Sequence, residues 1–446
     1  MYKINLQNID NPYEYNELIK IFLNPKDYVL IDDEADIYIN KEGNLSKQEI
    51  KVQIYKELKR LTGKSPEWGT LTGVRPVKLA GQLYKANKDY DKTLAVLKEQ
   101  YLLSDEKAKL ILDTYLRQQK VFGKPEVGSS SMYIGIPFCP TRCSYCSFTS
   151  NQVNDSEKDR YVDALIKEID YVASKNNNLE SIYIGGGTPT SLSDELLDKL
   201  LTKIEDSFDL TELKEYTVEA GRPDTITKSK LEIIKKHKTK RISINPQTMN
   251  DRTLEIIGRK HQSKQIFEAF KLAKELGFKE INADIIAGLP GEDLEDFVKT
   301  LKEVIGLKPT NITVHSLAVK RSSKLHEMDA DYHYRQGDSV REMLKLSRQM
   351  LSDNGYNPYY LYRQKHMAGA LENIGYALDG SDCLYNVRIM EEQQSIIALG
   401  AGGVSKIYFP KEDRHERVAN VNNYEIYIER IDEMINRKEL NYYGGN

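Results

Sequence analysis

Short apolar runs alternate with amphipathic stretches through the middle of the chain. The runs are rich in Ile, Val, Thr and Tyr, which favours β-strands, and they lie at 132–136, 181–185, 215–219, 241–245, 280–286 and 311–315. Between them apolar residues recur at helical spacing, which predicts helices at 157–173, 194–205, 228–236, 263–276 and 293–305. Strands separated by single helices indicate βαβ units and a parallel sheet. We therefore predict an α/β fold, either an open doubly wound sheet or a partial (β/α) barrel, with functional residues at the carboxyl ends of the strands.

The pattern differs on either side of this middle part. Residues 1–125 mix short strands with amphipathic helices, and the turn-rich stretch at 123–131 is typical of a linker. Beyond about residue 330 the regular alternation stops, although helices are expected at 338–353 and 424–437. We predict three domains, namely an N-terminal α/β accessory domain (1–125), an α/β core (126–330) and a C-terminal region that covers the substrate (331–446).

Composition excludes several classes of protein. Of the 446 residues, 40% are hydrophobic and 29% are charged, a balance typical of globular chains rather than disordered or fibrous ones. The formal net charge of −3 argues against a strongly basic surface for nucleic acid. The chain has neither the pattern of a secretory signal nor an apolar run of about 20 residues. We therefore expect no membrane span and a cytoplasmic location.

Three of the four cysteines lie within eight residues. Cys139, Cys143 and Cys146 form a C-x3-C-x2-C loop directly after the first strand of the predicted core, whereas Cys383 is far away in sequence. Such clustering favours metal binding over a disulfide framework. Three thiolates hold three irons of a cubane iron–sulfur cluster and leave the fourth iron open to a ligand. Coincidence and an incomplete zinc site are the alternatives, although zinc sites usually pair their ligands.

Glycines and polar residues follow the other predicted strands. The glycines of Gly185–Thr190 (GGGTPT) allow a ligand to approach the backbone and expose N–H groups to it, and a plain βα turn is the alternative. Glu219 ends a strand, and an arginine fork such as that of Arg259 suits a carboxylate. Asp284 lies in an apolar run, where an ionised side chain is costly unless it is paired. For each of these side chains an ordinary structural role is the alternative.

The residues around the cysteines carry a family resemblance. C-x3-C-x2-C with Tyr145 before the last cysteine resembles the radical S-adenosylmethionine superfamily. The fuller string, YxxIPFCxxxCxYC from Tyr133 to Cys146, resembles the oxygen-independent coproporphyrinogen III oxidase family. GVRPVK at 73–78 and LYRQKHMAGALENIGYA at 361–377 are similar to its coproporphyrinogen dehydrogenase (HemZ-type) branch.

The resemblance implies a partial (β/α)6 radical-SAM barrel with a short C-terminal extension, and a [4Fe–4S] cluster on Cys139, Cys143 and Cys146. It also implies one or two molecules of S-adenosylmethionine. The first would be bound by Tyr133, Gly186 and Glu219, with Val404 nearby. The second would be bound by Tyr145, Gly187, Thr188, Gln247, Arg259, Asp284 and Ala318.

The implied reaction belongs to haem biosynthesis. A 5′-deoxyadenosyl radical would start the oxidative decarboxylation of coproporphyrinogen III, whose propionates would become vinyl groups to give protoporphyrinogen IX. The implied partners are this tetrapyrrole, a one-electron donor protein and an electron acceptor, with no nucleic acid.

The sequence departs from the family at two positions, and the role of its substrate residues stays open. Phe148 stands where the best-known oxidases have a cysteine, and Gly135 stands where they have a histidine. The chain also stops soon after Leu440, where the family commonly carries a further small domain. Two alternatives therefore remain, a haem chaperone or transfer protein of the same family and a radical enzyme acting on another tetrapyrrole. Residues considered for propionate recognition, proton transfer or haem ligation are Arg363, Gln364, Lys365, His315, His326 and His366, each with an ordinary polar role as its alternative.

Overall fold

The computed structural model describes residues 1–7, 9, 11–40, 45–175, 177–364 and 368–444. Within this part of the chain the strands form one small and one large sheet. The strands are β1 (Tyr2–Gln7), β2 (Tyr28–Leu30), β3 (Ile37–Asn40), β4 (Ser129–Ile136), β5 (Asn178–Gly186), β6 (Glu215–Glu219), β7 (Arg241–Ser243), β8 (Glu280–Ala287), β9 (Asn311–Ser316), β10 (Asn357–Tyr362), β11 (Asn373–Ala377), β12 (Ser395–Leu399), β13 (Val404–Phe409) and β14 (Arg414–Ala419).

The large sheet has the strand order β10-β11-β9-β8-β7-β6-β5-β4-β12-β13-β14. Its centre consists of β4 to β9, which lie side by side in chain order and pair in parallel. Strand β12 continues the parallel run beyond β4, whereas β10, β11, β13 and β14 pair antiparallel at the two ends. This arrangement confirms the predicted α/β class with six consecutive β/α units.

Helices connect the parallel strands and flank the sheet. They are α1 (Asn16–Phe22), α2 (Lys47–Thr62), α3 (Pro76–Asn87), α4 (Tyr90–Glu99), α5 (Asp105–Val121), α6 (Asp155–Ala173), α7 (Asp194–Ser207), α8 (Lys228–Lys236), α9 (Asp251–Ile256), α10 (Ser263–Glu275), α11 (Leu294–Gly306), α12 (Lys324–Met328), α13 (Tyr332–Arg335), α14 (Gly337–Asp353), α15 (Leu384–Glu391), α16 (Tyr424–Glu429) and α17 (Ile431–Lys438). None of the helices formed by the described residues combines the length and apolar character needed to cross a membrane.

Local capping explains where the helices of the central units begin. Asn154, Ser193, Thr227, Asn250 and Asp293 each stand just before a helix and accept a hydrogen bond from a backbone N–H of its first turn. Such side chains satisfy N–H groups that have no partner inside the helix. Each connection therefore ends at a capped helix, and the residues between strand and helix are left to form a site.

The main apolar core lies between the parallel strands and the helices around them. It includes Trp68 and Ile111, from before residue 125, and Tyr427 and Met434, from after residue 330, together with the central strands. The small sheet, of order β2-β1-β3, packs on α1 and α2 around a separate apolar cluster that includes Ile4. The division into domains 1–125, 126–330 and 331–446 stays a prediction.

The structure differs from the expected elements in three places. The last residues of the predicted linker, from Ser129, already belong to β4. The expected helix at 424–437 is divided at Arg430 into α16 and α17. Because buried Tyr424, Tyr427, Ile431 and Met434 keep helical spacing across the division, the pattern does not reveal it. Strands β10 to β14 extend the sheet beyond residue 330, where no strand was predicted.

Candidate active site

The cysteine loop connects β4 to α6 at the carboxyl end of the central sheet. Its backbone is held at two points, since the Cys139 N–H donates to Asn151 O (3.0 Å) and the Ser144 N–H donates to Ile257 O (2.9 Å). Within the loop the Cys146 N–H donates to Cys143 O over 3.2 Å. Cys143 is buried, whereas the other two cysteines are partly exposed. All three face one cavity.

This cavity, of about 650 Å³, lies at the carboxyl ends of the parallel strands. Every residue that the sequence analysis assigned to the site lines it, and their roles stay predictions. These residues are Tyr133, Cys139, Cys143, Tyr145, Cys146, Gly186, Gly187, Thr188, Glu219, Gln247, Arg259, Asp284, Ala318 and Val404.

The glycines after β5 bring that strand's loop against the cysteine loop. Gly186 has a φ of 108°, which favours glycine. A Cβ on Gly187 would lie 2.5 Å from Phe138 O and 3.0 Å from the Cys139 Sγ. The N–H groups of Gly187 and Thr188 donate to the carbonyls of Ile136 and Phe138, both over 2.7 Å. The expectation that these N–H groups face a ligand is therefore wrong for these two residues, because they join the two loops instead.

Glu219, at the end of β6, is an acidic group among aromatic rings. It accepts a hydrogen bond from the Tyr183 hydroxyl. Burial raises the pKa of the Glu219 carboxyl to about 7, and the nearby charge of Asp284 adds to this effect. The rings of Tyr133, Tyr183 and Tyr385 stack with centroids 4.7–6.3 Å apart. A cationic or hydroxyl-bearing ligand would satisfy this carboxylate.

Arg259, Gln247 and Asp284 form the neighbouring polar group. Arg259 donates to Asn245 O (2.6 Å) and lies 3.4 Å from the Tyr145 hydroxyl. Gln247, with φ at 67°, donates its N–H to Asp284 O over 2.9 Å. Although burial alone would raise the pKa of Asp284, His315 at 3.6 Å helps to lower it.

Several buried polar atoms of this cavity have no hydrogen-bond partner among the described residues. They are the Arg259 Nε, the Gln247 Oε1, the Asn245 Oδ1 and the Asn282 Oδ1. An unpaired buried polar group costs free energy. The cavity is therefore built for a ligand that carries both donors and acceptors.

Comparison with known proteins identifies the family. Residues 133–304 match the model of the Radical SAM superfamily. The oxygen-independent coproporphyrinogen-III oxidase-like protein HemZ of Bacillus subtilis (strain 168) is 38% identical over 389 residues, which cover 84% of this chain and 77% of that protein. This chain belongs to the HemZ-type family of radical SAM proteins. The heme chaperone HemW of the same organism is 31% identical over 308 residues, which cover 68% of this chain and 76% of HemW.

A solved structure agrees with this fold. Coproporphyrinogen III oxidase (HemN) from Escherichia coli superposes with a TM-score of 0.56 and 24% identity, covering 72% of this chain and 73% of that one. Membership of the superfamily implies a [4Fe–4S] cluster and S-adenosylmethionine.

The chemistry of the donor set fits a cluster, because cysteine thiolates are the ligands that iron–sulfur clusters use. Among the residues described, no group of three His, Cys, Asp or Glu side chains is arranged to hold one metal ion. In a cubane each cysteine binds a different iron, so the thiols need to surround a cavity rather than converge on a point. Burial raises the pKa of the Cys139 thiol to about 11 and also raises that of Cys146. Cluster ligands bind as thiolates, so assembly of a cluster on these cysteines would release protons.

Sequence reasoning missed several residues of the cavity. Tyr183, Asn245, Asn282 and Tyr385 line it, and the alternation of side chains along β5 and β8 is a signal that could have found Tyr183 and Asn282. Tyr385 comes from α15 and carries no such signal.

The remaining candidates have mixed outcomes. His315 and Gln364 line the cavity, whereas His326 does not. Arg363 donates to the carbonyls of Leu71 and Ala370 and does not line the cavity, so the structure gives its guanidinium a backbone-binding role. Lys365 and His366 lie outside the described residues.

Phe148 and Gly135 are the two positions at which the sequence departs from the family. Phe148 lines the cavity and is 69% exposed. Gly135 accepts a hydrogen bond from the Tyr161 hydroxyl through its carbonyl.

Proposed function

We propose that this protein catalyses the oxygen-independent oxidative decarboxylation of coproporphyrinogen III to protoporphyrinogen IX. The observation that carries the proposal is the convergence on one cavity of residues from five central strands and the cysteine loop. The similarity to a coproporphyrinogen-III oxidase-like protein over most of the chain supports the choice of substrate.

The proposed cofactor sites share this cavity. The cluster is held by Cys139, Cys143 and Cys146, and S-adenosylmethionine is bound as one molecule or two. The first is assigned to Tyr133, Gly186 and Glu219, with Val404 nearby, and the second to Tyr145, Gly187, Thr188, Gln247, Arg259, Asp284 and Ala318. When bound, the cluster and S-adenosylmethionine supply a 5′-deoxyadenosyl radical that takes a hydrogen atom from a substrate propionate.

The protein contributes binding, orientation and exclusion of water. The buried Arg259 fork offers charge-assisted hydrogen bonds to a carboxylate. Glu219 becomes a full acceptor for an amino group once it loses its proton near pH 7. The tyrosines of β10, Tyr360 and Tyr362, line the cavity beside His315 and reduce its contact with water, which strengthens the polar contacts inside. A one-electron donor protein and an electron acceptor complete the proposed reaction.

The test is an anaerobic assay with the reconstituted full chain. Coproporphyrinogen III, S-adenosylmethionine, a strong reductant and an electron acceptor are supplied, and porphyrin products and 5′-deoxyadenosine are followed by chromatography. Protoporphyrin formed by the wild type and not by Cys146→Ala supports the proposal. 5′-Deoxyadenosine without a decarboxylated product contradicts this substrate and favours a radical enzyme acting on another tetrapyrrole.

A haem chaperone or transfer protein is the second candidate. HemW relatives from several bacteria are 28–31% identical to this chain, and Phe148 replaces the cysteine of the best-known oxidases. A stable Soret band on the purified protein, transfer of haem to an acceptor and no decarboxylation would favour this candidate.

A further inference from the structure

A buried arginine lies against the cysteine loop and was not part of the predicted site. Arg222 follows β6 by three residues and is 3% exposed. Its Nε and Nη2 donate to the two carboxylate oxygens of Asp224 over 2.9 and 2.8 Å. This fork-to-fork pairing fixes the plane and the direction of the guanidinium.

The third nitrogen of the guanidinium points to the cysteine loop. Arg222 Nη1 lies 3.8 Å from the Cys143 Sγ and 3.3 Å from Thr141 O. Arg259 also contributes a positive charge at Cys143. Arg222 therefore places a permanent charge and an N–H group beside one of the three thiols, at a depth where solvent screens little.

Asp224 is held in its charged form by Arg222, which donates two hydrogen bonds to it and carries a permanent charge. His261, with a fully buried side chain, places its Nδ1 3.7 Å from Asp224 Oδ1. Although burial alone would raise the pKa of Asp224, the interactions with His261 and Arg222 lower it well below its usual range. The anion therefore persists and keeps Arg222 in place against the loop.

We infer that Arg222, oriented by Asp224, is a positioning residue that raises the reduction potential of the cluster at Cys143. The inference rests on the proposed cluster site. Reduction adds one negative charge to the cluster, and a fixed cation or an N–H···S hydrogen bond at a ligand sulfur stabilises that charge. Asp224 opposes the effect as an anion, but it accepts from the Nε and Nη2 of the guanidinium, whereas Nη1 is the nitrogen beside the sulfur.

The test is a redox titration of the reconstituted cluster, followed by electron paramagnetic resonance, with iron and sulfide measured first. Arg222→Gln is expected to lower the midpoint potential by at least about 59 mV, which is a tenfold change for a one-electron couple. Arg222→Lys keeps the positive charge but loses the planar guanidinium. Its midpoint potential is expected to lie between those of the wild type and Arg222→Gln.

A matched control removes a similar buried pair far from the loop. Arg388 donates to both oxygens of Glu180 over 2.9 and 3.1 Å, and Glu180 lies six residues before Gly186 on β5, about 20 Å along the strand. Arg388→Gln is expected to lower stability without moving the potential.

The outcomes separate the two proposals. A lower potential in Arg222→Gln, an intermediate potential in Arg222→Lys and an unchanged potential in Arg388→Gln support the inference. An unchanged or raised potential in Arg222→Gln overturns it while the cluster site stands. A wild type that assembles no cluster overturns the inference together with the proposed function. If Arg222→Gln fails to retain its cluster, Arg222→Lys decides, since a lowered potential supports the inference and an unchanged one overturns it.

Discussion

Adding a single methyl group at Gly187 tests whether the two loops of the site must touch. In Gly187→Ala the new Cβ would lie 2.5 Å from Phe138 O and 3.0 Å from the Cys139 Sγ. To restore a separation of 3.0 Å from the carbonyl, the loops must move apart by at least about 0.5 Å. Overpacking of this kind costs about 1–3 kcal/mol, and the movement displaces Cys139, a proposed cluster ligand.

The expected result is a modest loss of stability and a large loss of activity. Since a misplacement of about 1 Å can reduce a rate 100-fold, we expect 5′-deoxyadenosine formation to fall about 10- to 100-fold. Urea unfolding of the cluster-free protein measures the stability. Iron content measures how much cluster is retained, and chromatography measures 5′-deoxyadenosine formation.

The control for this prediction is Gly306→Ala at the end of α11. A Cβ there meets no atom within 4 Å and the residue has no positive φ. The stability and the rate of 5′-deoxyadenosine formation should therefore stay close to those of the wild type. Gly187→Ala protein with the stability, iron content and rate of the wild type would refute the proposed close contact.

Three further perturbations follow from buried charges. Burial of Glu219 raises its carboxyl pKa from 4.5 to about 7, so the folded state holds a proton that the unfolded state loses. Its contribution to stability, about 3 kcal/mol, is present below pH 4.5 and is lost as the pH rises through 7. In urea unfolding of Glu219→Gln across this pH range, the free energy of unfolding should not show this decrease. A decrease with pH as steep as that of the wild type would contradict the assignment. Arg259→Met removes the donor beside Tyr145 and should weaken S-adenosylmethionine binding in equilibrium dialysis at least about tenfold, whereas affinity equal to that of the wild type would exclude a role for its fork. Lys438→Met leaves Glu168, with which it forms a fully buried ion pair, without its cation, and should lower the free energy of unfolding by about 3–5 kcal/mol. A loss below about 1 kcal/mol would show that α17 is not anchored by this pair.

Local patterns were sufficient for the six central strands and for the cysteine loop. β6 and α8 have the bounds that their patterns predict, 215–219 and 228–236, because strand alternation and a capping threonine act over a few residues. The three cysteines lie in one short loop, so their proximity is encoded in sequence spacing alone.

Long-range pairing limits what can be predicted from the sequence. Strand β12 pairs in parallel with β4 although Ser395 and Ser130 are more than 260 residues apart in sequence, and no local periodicity specifies such a register. For the same reason the stacking of Tyr385 on Tyr183 was not foreseen. The contact of Arg222 with Cys143 across 79 residues also depends on the folded sheet rather than on a motif.

The most direct test of the central claim is 5′-deoxyadenosine formation by two cysteine variants of the reconstituted protein. Cys146→Ala removes a residue assigned to the cluster, whereas Cys383→Ala removes a buried cysteine that donates to Glu215 and does not line the cavity. The account predicts that Cys383→Ala forms 5′-deoxyadenosine from S-adenosylmethionine and that Cys146→Ala, although folded, does not. Comparable formation by Cys146→Ala, or loss in Cys383→Ala alone, would contradict it.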